Sequence, residues 1–241
     1  AAGVCFMFLI ALNTKLRKIK WFEKNKIKEP NLINFLDLVS LGTVCDVVPL
    51  IGLNRAIVRQ GLKVLNKISN PGLKILKNVC GIDTHLNTYH LGYVLGPRIN
   101  AGGRVGKCSH GANLLISKNP KEVFKIATEL DSYNNERKHL ELNMLKKIES
   151  DVQMDKDEPV IILSGHNWHG GIIGIIASRL KEKFNKPTVI ISFNNGIGRA
   201  SARSIFGFDI GSFIIKAVQK NILIKGGGHK MAGGFSIKED K

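Results

Sequence analysis

Five stretches of this sequence carry side chains suited to holding or attacking a phosphodiester. In TVCDVVPL (43–50), Asp46 interrupts an otherwise apolar, strand-like run. Burying a carboxylate there is costly unless a metal or another cation meets it. Asp46 therefore reads either as a metal ligand at a strand end or as a loop-terminal residue that turns the chain before Pro49. Asp37, in FLDLVSLG, has weaker grounds and reads as structural. In GPRINAGGR (Gly96–Arg104), small residues surround Arg98 and Arg104. Glycines let backbone come close to a phosphate, and arginines offer forked donors to its oxygens.

GHNWHGGIIG (Gly165–Gly174) follows a predicted strand and opens a predicted helix, where backbone N–H groups and the helix dipole favour an anion. His169 would meet a phosphate and Trp168 a base; alternatively Trp168 packs in the core and His169 is a satisfied surface residue. GRASARSIFGFD (Gly198–Asp209) places Ser201, Arg203 and Ser204 in a glycine-flanked loop between predicted elements. KGGGHKMAGGFSI (Lys225–Ile237) sets three glycines, Gly227 and Gly228 among them, before His229. Such a run permits backbone angles closed to other residues and presents N–H groups in a concave, anion-binding nest. Together these stretches point to a phosphate-bearing substrate.

The elements that must position these residues fall into two groups. Residues 1–20 read as one helix ending in a basic run, and 54–68 repeat apolar positions at a helical period until Pro71-Gly72 breaks the pattern. The clearest element follows the glycine-dense stretch Gly92–Gly111. Asn119 can cap, Pro120 suits the first helical position, and Glu122 stands three after the cap. Apolar residues then recur from Val123 to Ile148 over about thirty residues, roughly 45 Å of helix. That length suits a connector between two lobes, and QMDKDEP marks a boundary near residue 155. Beyond it, strands are predicted at 160–163, 188–193 and 235–237, with helices at 172–184 and from an Asp209 cap to Val218. The layout is α/β.

Composition narrows the function. With 36 Lys+Arg against 19 Asp+Glu the formal charge is +17, for which a polyanion, nucleic acid above all, is the natural partner. A Lys, Ile and Asn bias from AT-rich coding would supply part of that charge without any ligand. The 241 residues are 44% hydrophobic, enough for a packed core and against disorder over most of the chain. The longest apolar stretch, Ala1–Leu12, falls short of the roughly 20 residues a membrane span needs and lacks signal-peptide flanks. Because the chain starts without Met inside a helix-like pattern, it is expected to be a fragment of a longer protein. Cys5, Cys45, Cys80 and Cys108 show no CxxC spacing and read as free thiols in a reducing cytoplasm.

In order, DLVSLGTVCDVVPL, NRAIVRQGL, LGPRINAGGRVG, the NNERK helix, GHNWHGGIIGIIASRL, SARSIFGFDI and GGGHKMAGG resemble the RecJ family of the DHH phosphoesterase superfamily. These are single-strand-specific 5′→3′ DNA exonucleases of repair and recombination. The likeness covers nearly the whole chain, although GGGH alone is shared with other DHH-associated domains, including that of alanyl-tRNA synthetase.

The resemblance implies an incomplete DHH-type α/β domain over 1–118, a connecting helix over 119–154 and a DHH-associated domain over 155–241. It implies single-stranded DNA entering by its 5′ end, a cytoplasmic location and no membrane. Family members use a pair of Mn²⁺ or Mg²⁺ ions. By similarity Asp46 would be a metal ligand and catalytic. His229 would be catalytic too, and with Ser201, Arg203, Ser204, Gly227 and Gly228 would hold the 5′-terminal nucleotide. Arg98, Arg104 and His169 would add substrate contacts. The family's Asp-His-His triplet, its Asp-x-Asp ahead of Asp46 and its OB domain do not occur in these residues. The resemblance thus implies a fragment that is inactive alone and whose partner is the N-terminal half of the same enzyme. The alternatives are a non-catalytic single-strand-binding remnant, or a related DHH phosphoesterase on short oligonucleotides. The long helix and GPRINAGGR argue against that last reading.

Overall fold

The computed structural model describes residues 1–67, 70–151 and 158–241. The chain divides into two compact units, Ala1–Asn134 and Asn135–Lys241. The division falls inside the long helix, and the boundary expected near residue 155 lies outside the described residues.

The first unit is built of helices and the loops between them, with no strand among its described residues. It comprises α1 (Ala2–Lys18), α2 (Trp21–Lys24), α3 (Leu36–Cys45), α4 (Gly52–Lys67), α5 (Pro71–Val79), α6 (Gly96–Val105), α7 (His110–Ile116) and the first part of α8 (Pro120–Asp151). A 3₁₀ turn (Leu32–Phe35) precedes α3, and a π-helical segment (His90–Leu95) leads into α6. The run expected to be strand-like, 43–50, holds no strand: it begins in the last turn of α3, a helix apolar on most of its circumference. Its hydroxyls make this possible: Ser40 Oγ donates to Leu36 O at 2.7 Å and Thr43 Oγ1 to Val39 O at 2.7 Å. Inside a protein an apolar run has no polar face to reveal its period.

The glycine-dense stretch expected to be loop is helical as well. A Cβ at Gly96 would lie 2.4 Å from Cys45 Sγ and 2.7 Å from Leu91 O, so this glycine serves close packing between helices. The core is mostly leucine: Leu41, Leu65, Leu73, Leu76, Leu91, Leu114 and Leu130 cluster with Val123 of α8. Two asparagines start helices as their positions suggest. Asn70 Oδ1 accepts from Leu73 N at 3.0 Å, and Asn119 Oδ1 from Lys121 N at 3.1 Å. Glu122 accepts a 2.6 Å hydrogen bond from Ser117 Oγ, one turn upstream.

The second unit contains β1 (Ile161–His166), α9 (Gly170–Phe184), β2 (Thr188–Asn194), β3 (Ile197–Arg203), α10 (Ile210–Gln219), β4 (Lys225–His229) and β5 (Ala232–Lys238). The sheet order is β1-β2-β3-β5-β4. β1 pairs parallel to β2, and every other pair is antiparallel. β3 and β4 were expected as loops. β3 forms because Asn195 and Gly196, at φ 51° and 75°, make the two-residue turn that matches strand twist. α9 packs on one face of β2 and β3, and α10 on the other face, beneath β4 and β5. Buried Glu141 of α8 accepts from Arg137 Nη1 at 2.9 Å and from Arg179 Nε at 3.0 Å, fixing α8 against α9 within this unit.

Two residues test this packing. A Cβ at Gly61 would stand 1.7 Å from Ser40 Oγ and 2.2 Å from backbone Leu36 O, whereas one at Gly103 meets nothing within 4 Å. Gly61→Ala is expected to cost about 1–3 kcal/mol by forcing α3 from α4, while Gly103→Ala gains up to about 1 kcal/mol of helix propensity, both read by urea unfolding. Asp37 is buried at 3% exposure in the first turn of α3, and desolvation raises its carboxyl pKa although Leu38 N donates to it. A folded pKa above the unfolded one makes the ionised form unfavourable, so stability falls as pH rises through the carboxylate range. Asp37→Asn should melt above the native chain at pH 7, with the gap closing as pH drops to where Asp37 is protonated. A lower melting point at pH 7 would mean that another group stabilises the charge.

Candidate phosphodiester-binding site

The antiparallel register decides which candidate residues share a surface. Across β3, β5 and β4 the residues align in rows: Arg203, Ala232 and His229; Ser201, Gly234 and Gly227; Arg199, Ser236 and Lys225. Directly paired residues point to the same side of a sheet. Residues between these rows point the other way, where Ala200, Ala202, Ile210 and Ile214 form a core with Phe235.

Arg203 lies half-buried within the first row. Its Nε donates to Ser178 Oγ of α9 at 3.2 Å, and its Nη1 donates to Ser201 Oγ at 3.1 Å and to Ala202 O at 2.8 Å. All three partners are neutral, and among the described residues no carboxylate pairs with it. Burial lowers its pKa, yet a guanidinium stays charged near neutral pH. Gly174 of α9 admits this arrangement, since a Cβ there would come within 3.0 Å of Ser201 Oγ and 3.1 Å of Arg203 Nη2. His229 ends β4 two strands away, about 9–10 Å across the ladder. Its Nδ1 accepts from Met231 N at 3.3 Å, so its tautomer carries the proton on Nε2, free to donate outward.

The glycines of GGGH divide by face. None has positive φ, so the expected anion nest does not form and the segment is strand β4. Gly228 faces α10: a Cβ there would strike Ala232 O at 2.4 Å, and one on Gly211 of α10 would meet the Gly228 and His229 backbone at 2.9 Å. A Cβ at Gly227 would meet nothing within 4 Å. Gly228 therefore serves helix–sheet contact, while Gly227 leaves bare backbone beside Ser201 and His229.

Ser204 is buried rather than presented to a ligand. Its Oγ donates to Phe208 O at 2.7 Å and its N to Met231 O at 2.9 Å, closing the loop between β3 and α10. That closure leaves Phe206 99% exposed at the loop tip, a ring suited to stacking on a base. His169 is the N-cap of α9, with Nδ1 accepting from Gly171 N at 3.2 Å, so the ring occupies the N–H that an anion was expected to use. Trp168 packs under Gly165, whose Cβ would fall 2.4 Å from its Cε2.

The first unit holds the other candidates. Arg98 makes a 2.7 Å ion pair with Asp131 and donates from Nη1 to Val94 O, binding α6 to α8. Arg104 stands exposed in the last turn of α6. Asp46 is exposed at the C-terminus of α3, at the edge of a mainly apolar cavity of about 290 Å³ lined by Val4, Met7, Val48 and Leu53. Among the described residues no group of three or more His, Cys, Asp or Glu side chains could hold a metal ion. Asp46 thus offers a single carboxylate, which by itself does not hold a metal pair.

Sequence reading missed Arg199, Lys225 and Ser236, the third row of the open face. The signal was available: after the Asn195-Gly196 turn, Arg199, Ser201 and Arg203 recur at the two-residue period of a strand.

Residues 157–241 match the model of the DHHA1 domain. The chain is 39% identical to the single-stranded-DNA-specific exonuclease RecJ of Escherichia coli K12, over 99% of this chain and 43% of that protein. It is 31% identical to RecJ of Thermus thermophilus, over 99% of this chain and 33% of the relative. The chain therefore spans less than half the length of these curated relatives. The crystal structure of Thermus thermophilus RecJ in complex with Mn²⁺ matches with a TM-score of 0.79 at 31% identity, covering 91% of this chain and 32% of that one. A second structure, exonuclease RecJ bound to manganese, matches at 0.74 and 30% identity, covering 91% of this chain and 54% of that one. By sequence and by fold, the chain belongs to the RecJ family.

Proposed function

We propose that the second unit seats the 5′-phosphorylated end of a single DNA strand for a 5′→3′ exonuclease, and that Asp46 gives that enzyme one carboxylate ligand. The observation that carries the reading is Arg203, a half-buried guanidinium with neutral partners and, among the described residues, no counter-anion. A buried cation is costly until an anion meets it, and a terminal phosphate supplies two charges in the forked geometry a guanidinium fits. Ser201 Oγ and the outward N–H of His229 flank the same position. The bare backbone at Gly227 lets the sugar and phosphate lie against the sheet, and Phe206 offers a face to the base.

Bound Mn²⁺ or Mg²⁺ would activate water and neutralise charge on the scissile phosphodiester. One carboxylate does not hold such a pair, so hydrolysis is not assigned to the described residues. The remaining ligands would come from an N-terminal half of the enzyme, as the greater length of the relatives allows. A second reading, a single-strand-binding protein without catalysis, is favoured by the lack of a ligand cluster among the described residues.

Arg203→Met keeps the volume of the side chain and removes its charge. It should weaken binding of 5′-phosphorylated oligothymidylate by about 10- to 100-fold, matching the roughly 1.5–3 kcal/mol of a hydrogen bond to a charged group, without lowering the melting temperature. His229→Ala should weaken the same binding, and the native chain should prefer 5′-phosphate over 5′-hydroxyl ends. Equal affinity for both ends, or unchanged affinity in both variants, removes the proposed seat. Assayed with Mn²⁺ on a 5′-labelled single strand, the chain alone should release no nucleotide. Activity restored by a RecJ N-terminal half favours the exonuclease reading over the binding-protein one.

A further inference from the structure

Beside α9, the face of the sheet that carries Arg203 is uncovered over β5 and β4 and extends past the proposed 5′ seat. Four residues along β3 from Arg203, the third row brings Arg199, Ser236 and Lys225 side by side. Arg199 and Lys225 are exposed, and among the described residues neither pairs with a carboxylate. They line an open depression with Gly234 and Ser236. The residues of the three rows on this face include two arginines, a lysine, a histidine and two serines, and no acid.

Between the two basic rows the surface is nearly bare over β5 and β4, and α9 walls it on the β3 side. Its middle row is Ser201, Gly234 and Gly227. Gly227 has neither positive φ nor a neighbour that a Cβ would strike, so nothing inside the unit requires glycine there. A shallow trough with cationic ends suits a chain of phosphates laid along it. The rows of Arg203 and Arg199 stand roughly 13 Å apart at about 3.3 Å per residue. A single strand covers that distance in two to four nucleotides, according to how far it is stretched from the roughly 3.4 Å per nucleotide of stacked DNA.

We propose that Arg199, Lys225 and Ser236 form a second phosphate subsite, which holds the backbone of the same strand two to four nucleotides from the 5′ end seated at Arg203. The inference rests on the 5′-seat reading and adds a length requirement to it. The two cations grip internal phosphates, and Ser236 donates a hydroxyl between them. Because the contacts go to the backbone, the subsite reads strand length and not base sequence.

The test titrates the full chain with 5′-phosphorylated thymidine oligomers of one, two, four and eight nucleotides at several salt concentrations. The native chain should gain affinity between one and four nucleotides. The double variant Arg199→Ala/Lys225→Ala should bind the mononucleotide within twofold of native and the four- and eight-nucleotide oligomers at least tenfold more weakly. Its salt slope for the octamer should fall by about 1.4, at about 0.7 per single-strand phosphate. Both side chains are exposed, so an unchanged melting temperature verifies the fold. A length gain that survives in the double variant, or that the native chain lacks, overturns the subsite and leaves the 5′ seat standing. Equal loss for the mononucleotide also overturns it, by placing both residues in the terminal seat. A native chain that binds none of the oligomers overturns the 5′ seat along with it.

Discussion

The pleat of β3 is the constraint on which the second unit depends. Its odd-numbered residues, Arg199, Ser201 and Arg203, point to one face, and Gly198, Ala200 and Ala202 point to the other. The second set must be small, because α10 packs against it through Ile210 and Ile214. Shifting the register by one residue would drive three polar side chains into that core and expose the alanines. Burial of the apolar face thus holds the cationic face in place. The hydrogen bonds from Arg203 to Ser178, Ser201 and Ala202 then fix the guanidinium without neutralising it. That combination, orientation without charge compensation among the described residues, is the physical basis of the proposed phosphate seat.

Glycine does different work at neighbouring positions. Gly226 and Gly228 look toward α10, and an added Cβ would meet Ile214 or the backbone of β5 within 2.7 Å. Their absence of side chain is a packing requirement of the helix–sheet contact. Gly227, between them, faces the opposite way into open space. The same residue type in one tripeptide therefore reports internal contact twice and external access once. Identical letters in sequence conceal this, since the distinction rests on which neighbour lies across the sheet.

The first unit follows another logic. Its helices approach closely because small residues stand where they cross: Gly61 against Ser40, Gly72 against Leu114 O and Gly96 against Cys45. Arg98, an attractive phosphate ligand by its surroundings in sequence, is held by Asp131 at 2.7 Å and serves cohesion between α6 and α8. Asp46 differs from both buried Asp37 and paired Asp131. It stands exposed at a helix end beside an apolar cavity, where α1 also leaves Val4, Phe8 and Leu12 in solvent.

Much of this was legible in the amino-acid order. The long helix is marked by a cap, a proline and an unbroken 3.6-residue period, all local signals; the charge and the ordered motifs point to nucleic acid and to the family. The two missed strands failed for a physical reason. In β4 glycine carries too little side chain to show a two-residue alternation, and in β3 the alternation of Arg199, Ser201 and Arg203 is set against glycine and alanine rather than against large apolar residues, so both strands are fixed by partners distant in sequence. The apolar run that leads to Asp46 failed for the converse reason, since burial around most of α3 erases the difference between helix and strand periods. Arg203 and Ser204 are adjacent, yet Ser204 closes a loop through Phe208 O while Arg203 is held among neutral partners on the sheet face. The sequence by itself determined which chemistry the chain carries, because side-chain type is local. Tertiary structure alone decided which of those groups stand together and uncompensated, because register and burial arise only when distant segments pack.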